Sequence, residues 1–287
     1  MSLMDRINFF KIEKSSYKNF IPVKINLERI GSIHIEMADF LHNNIKNMEL
    51  KKDFFSIPSL EECELNNLME EAAYLLEKKN VIRPLSNELF PCVPFFGGKQ
   101  YFVLDRAALP IFGVTGYGVH LNGYVSKPDG PHIWVPKRSL DRYVDPGKLD
   151  NTVAGGIPAG ESVVSALVRE CKEEANIGIN ILKNVKPVGA INYILQEGFG
   201  LRPDVIFTYD LNMQEDFIPK CSDGEIEKFE LLNWKDVYSL LSYTEKFKAN
   251  CSLVLIDFFI RHGLLEPDKE QDYEILATSI RSSNHFA

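Results

Sequence analysis

The most regular pattern in the chain lies at residues 163–175, where Val164, Leu167, Val168, Cys171 and Ala175 recur at offsets of three and four. That spacing predicts a helix with one apolar stripe. Glu170 and Glu174 are four apart and Glu173 lies beside them, so the three carboxylates project from one side, away from the centre of the stripe. A second amphipathic helix is predicted over 60–79, with Leu65, Leu68, Met69, Ala72, Leu75 and Leu76 on its apolar face and an acidic first turn. Pro84 bars its continuation. Further helices are predicted over 234–241 and over 250–262, the latter closed by Gly263, with a weaker candidate from Ala38 and a short helix or arm at 5–11.

Alternation predicts the strands. Tyr117, Val119 and Leu121 point one way and His120 and Asn122 the other. Lys127-Pro128-Asp129-Gly130 turns that strand back into one containing Ile133, Trp134 and Val135. Strands are also predicted at 101–104, 187–195, 205–211 and 226–232, and a weaker one within 25–35. Phe20-Ile21-Pro22-Val23 reads as a turn or docking segment. Strands on both sides of the 163–175 helix, followed by a late helix, predict an α/β/α sandwich around a mixed sheet. We place it at 113–287, after a small α+β accessory domain at 1–112. Met1-Ser2-Leu3, ahead of Met4, reads as an expression remnant outside the fold.

Composition narrows the function classes. A chain of 287 residues with 45% apolar and 25% charged residues is ordinary for a globular protein. Its net charge of −8 argues against duplex nucleic acid and against an anionic membrane surface. Cys63, Cys92, Cys171, Cys221 and Cys251 show no paired spacing, which predicts reduced thiols in a cytoplasmic protein and no zinc site. No signal peptide is read at the start, and the apolar run 253–260 is too short to span a membrane.

The chemistry centres on residues 155–177. Three packed carboxylates repel one another, and hard oxygen donors select magnesium, with manganese as a second choice. Gly155, Gly156, Pro158 and Gly160 predict a tight loop into the helix, its N–H groups open to an anion. Together these residues read G-x5-E-x7-R-E-U-x-E-E-x-G-U, from Gly155 and Glu161 through Arg169-Glu170-Cys171-Lys172-Glu173-Glu174 to Ile177. The stretch resembles the box of Nudix hydrolases at every position but one. Asn176 stands where the family has glycine, a mild change because asparagine tolerates a left-handed backbone.

The resemblance implies a magnesium-dependent cleavage of a small-molecule diphosphate. Glu170 and Glu174 are the first choices as metal ligands. Glu173 is either a supporting ligand or a solvated helix residue. Arg169, which cannot act as a base, would orient the glutamates through its guanidinium fork, and Glu161 would pair with it structurally. A later carboxylate is often needed as base or ligand. Glu225 and Glu227 lie two apart on a predicted strand, so both are expected on one side, as site groups or as a polar outer face. Lys137 and Arg138 are candidates to bind the diphosphate or to form a basic edge. Trp134, His120 and Asn122 are candidates to shape the pocket, with packing in the core favoured for Trp134.

A wider set of segments resembles one Nudix subfamily that carries its own N-terminal domain. These segments include Tyr117-Gly118-Val119-His120-Leu121-Asn122-Gly123-Tyr124, Trp134-Val135-Pro136-Lys137-Arg138-Ser139, Asp223-Gly224-Glu225-Ile226-Glu227, and the stretch from Asn250 to Gly263. The subfamily implies hydrolysis of thiamine diphosphate, and preferentially of its oxo and oxy analogues, to the monophosphate and phosphate. Rival readings are an ADP-ribose or nucleotide-sugar hydrolase, an isopentenyl-diphosphate-type isomerase, and a noncatalytic ligand sensor. The isomerase needs a placed cysteine, for which only Cys221 lies near the late carboxylates. The sensor is disfavoured because every box glutamate is retained. The first region has two candidate roles, covering the active site or making a homodimer contact.

Overall fold

The structure is a computed structural model and describes residues 2–11 and 16–281. The first region is built from β1 (Phe20–Ile25), β2 (Glu28–His34), α2 (Ile35–Asn44), β3 (Glu49–Leu50), β4 (Phe55–Ser56), α3 (Glu62–Lys78), β5 (Leu89–Cys92), β6 (Phe102–Asp105) and α4 (Leu109–Phe112), preceded by α1 (Leu3–Asn8). Its four-stranded sheet has the order β2-β1-β4-β3, and β5 and β6 form a separate hairpin. The apolar face of α3 packs into this core through Leu65, Met69, Ala72 and Leu76, as its periodicity predicts.

Residues 20–23, expected as a turn, form the start of β1. Proline is tolerated there because β4 pairs only with Val23 and Lys24, which leaves one side of Pro22 without a ladder to interrupt.

The second region contains β7 (Gly116–Lys127), β8 (Gly130–Arg138), β9 (Val153–Gly156), α5 (Val163–Ala175), α6 (Ile179–Leu182), β10 (Lys186–Glu197), β11 (Gly200–Asn212), β12 (Ile226–Asn233), α7 (Trp234–Tyr243), α8 (Ala249–Arg261) and α9 (Tyr273–Ser279). The sheet order is β10-β11-β7-β8-β12, with β9 also on β7. The β11–β7 pair is parallel and the others are antiparallel. Alternation along β7 and β8 sends Tyr117, Val119, Leu121 and Trp134 toward α5, while Ile133 and Val135 pack with α7 and α8. The result is the expected α/β/α sandwich around a mixed sheet, preceded by an α+β region.

Two expectations change at the ends. Ser2 caps α1, and Leu3 is buried among residues of α7, α8 and α9, so these positions belong to the fold. Arg6 fixes the same helix by donating to the Leu241 carbonyl at 2.9 Å. Gly155 and Gly156 also differ from the expected loop, since they are the last residues of β9 and pair with Val119 and Gly118. The turn into α5 begins only at Ile157, and Gly160 takes its positive φ of 84°.

Candidate active site

The site begins with how α5 meets β9. Val164 is 64% exposed, although it lies on the predicted apolar stripe, while Glu170 and Glu174 are buried on the face turned to the sheet. The helix therefore packs its carboxylates inward. Gly155 makes this possible: a β-carbon there would stand 1.9 Å from the carboxyl carbon of Glu170. Glu174 Oε2 accepts from the Ala154 amide at 2.8 Å. Beyond the helix, Asn176 adopts the left-handed conformation expected of it, with φ 52°.

Arg169 organises the acidic group from one side. Its Nε and Nη2 donate to the two oxygens of Glu161 at 2.8 and 3.1 Å. Nη1 donates to Glu170 at 2.9 Å and to Glu173 at 3.2 Å, and Nη2 reaches the Gly156 carbonyl at 3.3 Å. The fork thus joins the helix to β9, and these bonds hold the guanidinium firmly charged, Glu161 foremost. Burial pushes the Glu170 carboxyl up to about 7 against the pull of Arg169, with Glu173 and Glu225 adding to the rise. Burial and the neighbouring charges of Glu170 and Asp150 push Glu174 up as well. Two adjacent buried carboxyls with so few positive partners fit the ligand set of a hard divalent cation.

A cavity of about 500 Å³ opens on this group. Glu170, Glu173, Glu174, Arg169, Gly155 and Gly156 line one part of it, and His120, Arg138 and Glu225 also reach it. Lys137, Glu227, Trp134 and Asn122 are not among its lining residues. Glu225 and Glu227 do not share a side as alternation predicts. The register of β12 against β8 jumps between Ile226 and Lys228, so a bulge at Glu227 breaks the two-residue repeat. Glu225 pairs with Arg142 at 2.8 Å in the cavity wall, whereas Glu227 pairs with Lys137 at 2.7 Å on another face. Trp134 is packed in the core beneath α5.

Behind the glutamates is a buried polar layer that sequence reasoning largely missed. Asp150 accepts from Arg138 Nη1 at 3.0 Å, from the Cys251 thiol at 2.6 Å and from the Asn151 amide at 2.9 Å. Lys248, at the start of α8, stands 3.5 Å from the same carboxylate and lines the cavity. Burial would raise the Asp150 carboxyl, but Lys248, His120, Arg138 and the thiol together bring it down to about 2. His120 Nδ1 lies 2.7 Å from Asn151 Oδ1, and burial, reinforced by Lys248, lowers its imidazole to about 4. Asn151 in turn donates to Asn122, and Asn122 to Asp210, which places Asn122 inside this chain of bonds.

His120, Asp150 and Cys251 have ligand atoms within 4.8 Å of one another. Two cationic side chains already serve Asp150, however, and burial keeps the Cys251 thiol protonated. This cluster is therefore an internal clamp and a poor cation site. In the sequence Arg138, Asp150 and Lys248 are single charges far apart, one in a strand, one in a loop and one at a helix start, which is too little to find the cluster by spacing.

The family model of the NUDIX domain matches residues 117–252, and that of a domain of unknown function (DUF4743) matches residues 2–116. The chain is 37% identical to Nudix hydrolase 20, chloroplastic, of Arabidopsis thaliana over 92% of this chain and 74% of that protein. The chain belongs to the Nudix hydrolase family. A second Arabidopsis protein, Nudix hydrolase 24, chloroplastic, is also 37% identical, over 87% of this chain and 69% of its own length. Among solved structures, DR0079 from Deinococcus radiodurans is 20% identical over 58% of this chain and 97% of that one, with a TM-score of 0.45. As a Nudix enzyme the chain is a hydrolase of phosphorus-containing anhydrides. Its box is the group just described, Glu161, Arg169, Glu170, Glu173 and Glu174, laid against Gly155.

Proposed function

We propose that this chain is a magnesium-dependent diphosphohydrolase that converts thiamine diphosphate or its oxidised and toxic analogues to the monophosphate and phosphate. The observation that carries the diphosphatase reading is the buried pair Glu170 and Glu174 opening on one cavity. Manganese is the second choice for the same oxygen donors. When bound there, the cation neutralises phosphate oxygens and activates water for attack on the anhydride. Arg169 holds Glu170 and Glu173 in place throughout. Glu225, next to the glutamates and free of the helix, is the candidate to take a proton from the attacking water. Lys248, which lines the cavity while holding Asp150, is our candidate to face a phosphate oxygen.

The thiamine part of the reading is supported by the wider sequence resemblance and by aromatic residues in the cavity lining, among them Phe90, Tyr117 and Tyr143. The compartment we propose is the cytoplasm or another reducing one, since all five cysteines are free. Among the described residues no helix is long and apolar enough to cross a membrane.

A phosphate-release screen with magnesium tests the substrate. Thiamine diphosphate and its oxo and oxy analogues would be set against ADP-ribose and nucleotide sugars, the latter read with added phosphatase because their cleavage leaves two phosphomonoesters. Faster turnover of the thiamine compounds is expected. Faster turnover of ADP-ribose or a nucleotide sugar would replace the proposal with that reading.

A further inference from the structure

The cavity has a second end, built by the first region. Arg83 and Arg106 from that region and Arg202 from β11 all line it. Two of these cations are neutralised within the protein. Arg106 pairs with Glu88 at 3.0 Å, and Arg202 pairs with Asp204 at 2.8 Å. Arg83 makes no hydrogen bond or ion pair among the described residues, and its one polar contact is the face of Tyr143, 6.0 Å from the ring centre. Burial and the charges of Arg106 and Arg202 make its protonated form less favourable than that of a free arginine, though a guanidinium keeps its charge.

The position is also held firmly. Pro84 restricts Arg83 to extended backbone. The next three residues are pinned, Leu85 by Glu77 Oε1 at 2.9 Å, and Ser86 and Asn87 by Asp105 Oδ2 at 2.9 and 2.7 Å. The Arg83 donors are half-exposed in the cavity and unspent within the protein, so they are open to an acceptor on a bound ligand. Along β7, Gly116 pairs with Asp204, the partner of Arg202, while Val119, three residues further on, pairs with Gly155, which faces Glu170. Arg83 lies among Arg106, Arg202, Asp105 and Glu88. It therefore reaches the cavity from the Arg202 end, toward the non-reacting half of a substrate whose diphosphate meets Glu170.

We infer that Arg83 is a specificity-determining residue which recognises an acceptor oxygen or anionic group (keto, carboxylate or phosphate) on the non-reacting half of the substrate. This rests on the reading of the cavity as the diphosphohydrolase site. At this end a substrate half that offers an acceptor is favoured over one that offers a donor in the same place.

Two matched pairs test it: oxythiamine diphosphate against thiamine diphosphate, which exchange a keto oxygen for an amino group, and UDP-glucuronate against UDP-glucose, which differ by a carboxylate. Each pair is compared by kcat/KM with magnesium and by calorimetric binding, using wild type, R83Q and R83K. Wild type should favour the acceptor-bearing member, and R83Q should reduce that preference by about tenfold, through KM, with kcat little changed. R83K should keep part of the preference for the carboxylate. Because Arg83 makes no internal bonds, R83Q should melt like wild type. Binding preference that depends on Arg83, without any turnover, would sink the hydrolase assignment of the cavity and leave this inference standing. An unchanged preference in R83Q, or none in wild type for either pair by turnover or binding, overturns it.

Discussion

Glu170 and Glu174 sit where a carboxylate is least at home, on the buried ridge of a helix. The metal-free protein therefore carries a destabilising group whose effect depends on pH. The Glu170 carboxyl is raised from 4.5 to about 7 in the fold. Between those values the native state binds more protons than the unfolded state, so stability falls as pH rises through that window. The cost above it is on the order of 3 kcal/mol. His120 works in the opposite sense, because its imidazole is lowered from 6.5 to about 4 and its contribution is lost as pH falls. The clean measurement is therefore the difference in unfolding free energy between wild type and E170Q, without metal. That difference should shift against wild type as pH rises from about 4.5 to about 7, and added magnesium should restore wild type most at the upper end. A pH-independent difference would mean that Glu170 ionises without strain. At this scale the sequence was informative. Residue type and spacing in the box marked the carboxylates Glu170 and Glu174 that meet at the cavity, the arginine that bonds Glu170 and Glu161, and the left-handed Asn176. They could not mark Asp150, Lys248 or Arg83, because each is a single charge whose neighbours come from distant parts of the chain.

At the scale of elements, periodicity located most helices and strands but not their irregularities. The α5 stripe was read from apolar residues alone, so Val164 was assigned inward and two glutamates outward. Helix packing against a glycine strand reversed this, and only the β-carbon clearance at Gly155 explains why. Alternation along β12 failed in the same way, since a bulge leaves no apolar or polar signature. The bulge separates two carboxylates that spacing had joined, and this has a kinetic consequence. E225Q should lower kcat by roughly 10–100-fold, whereas E227Q, which only breaks a partly exposed pair with Lys137, should stay within about twofold. Equal losses in both variants, measured as metal-dependent phosphate release, would show that the bulge does not divide their roles.

The whole molecule joins parts that the sequence presents as separate. A division at 112/113 describes the order of elements, yet α1 crosses it to pack with the last helices, and 81–111 supply one wall of the cavity. Neither is legible from local patterns, because both depend on where the topology brings the chain. Leu3 tests the first link. It is 3% exposed, so Leu3→Ala should cost about 2–4 kcal/mol in chemical denaturation. A change near zero would mean that α1 is only loosely attached. The second link makes the first region part of the hydrolase, with Arg106, Arg83 and Phe90 facing the sheet that carries Tyr117 and Arg202.

The central claim is that this cavity cleaves a diphosphate with a cation held by Glu170 and Glu174. Its most direct test is phosphate release from oxythiamine diphosphate by wild type and E174Q, titrated with magnesium. The account predicts turnover in wild type that vanishes with chelator, and a loss of at least about 100-fold in E174Q with the fold intact. Turnover by E174Q at the wild-type rate, with the same dependence on magnesium, would contradict it.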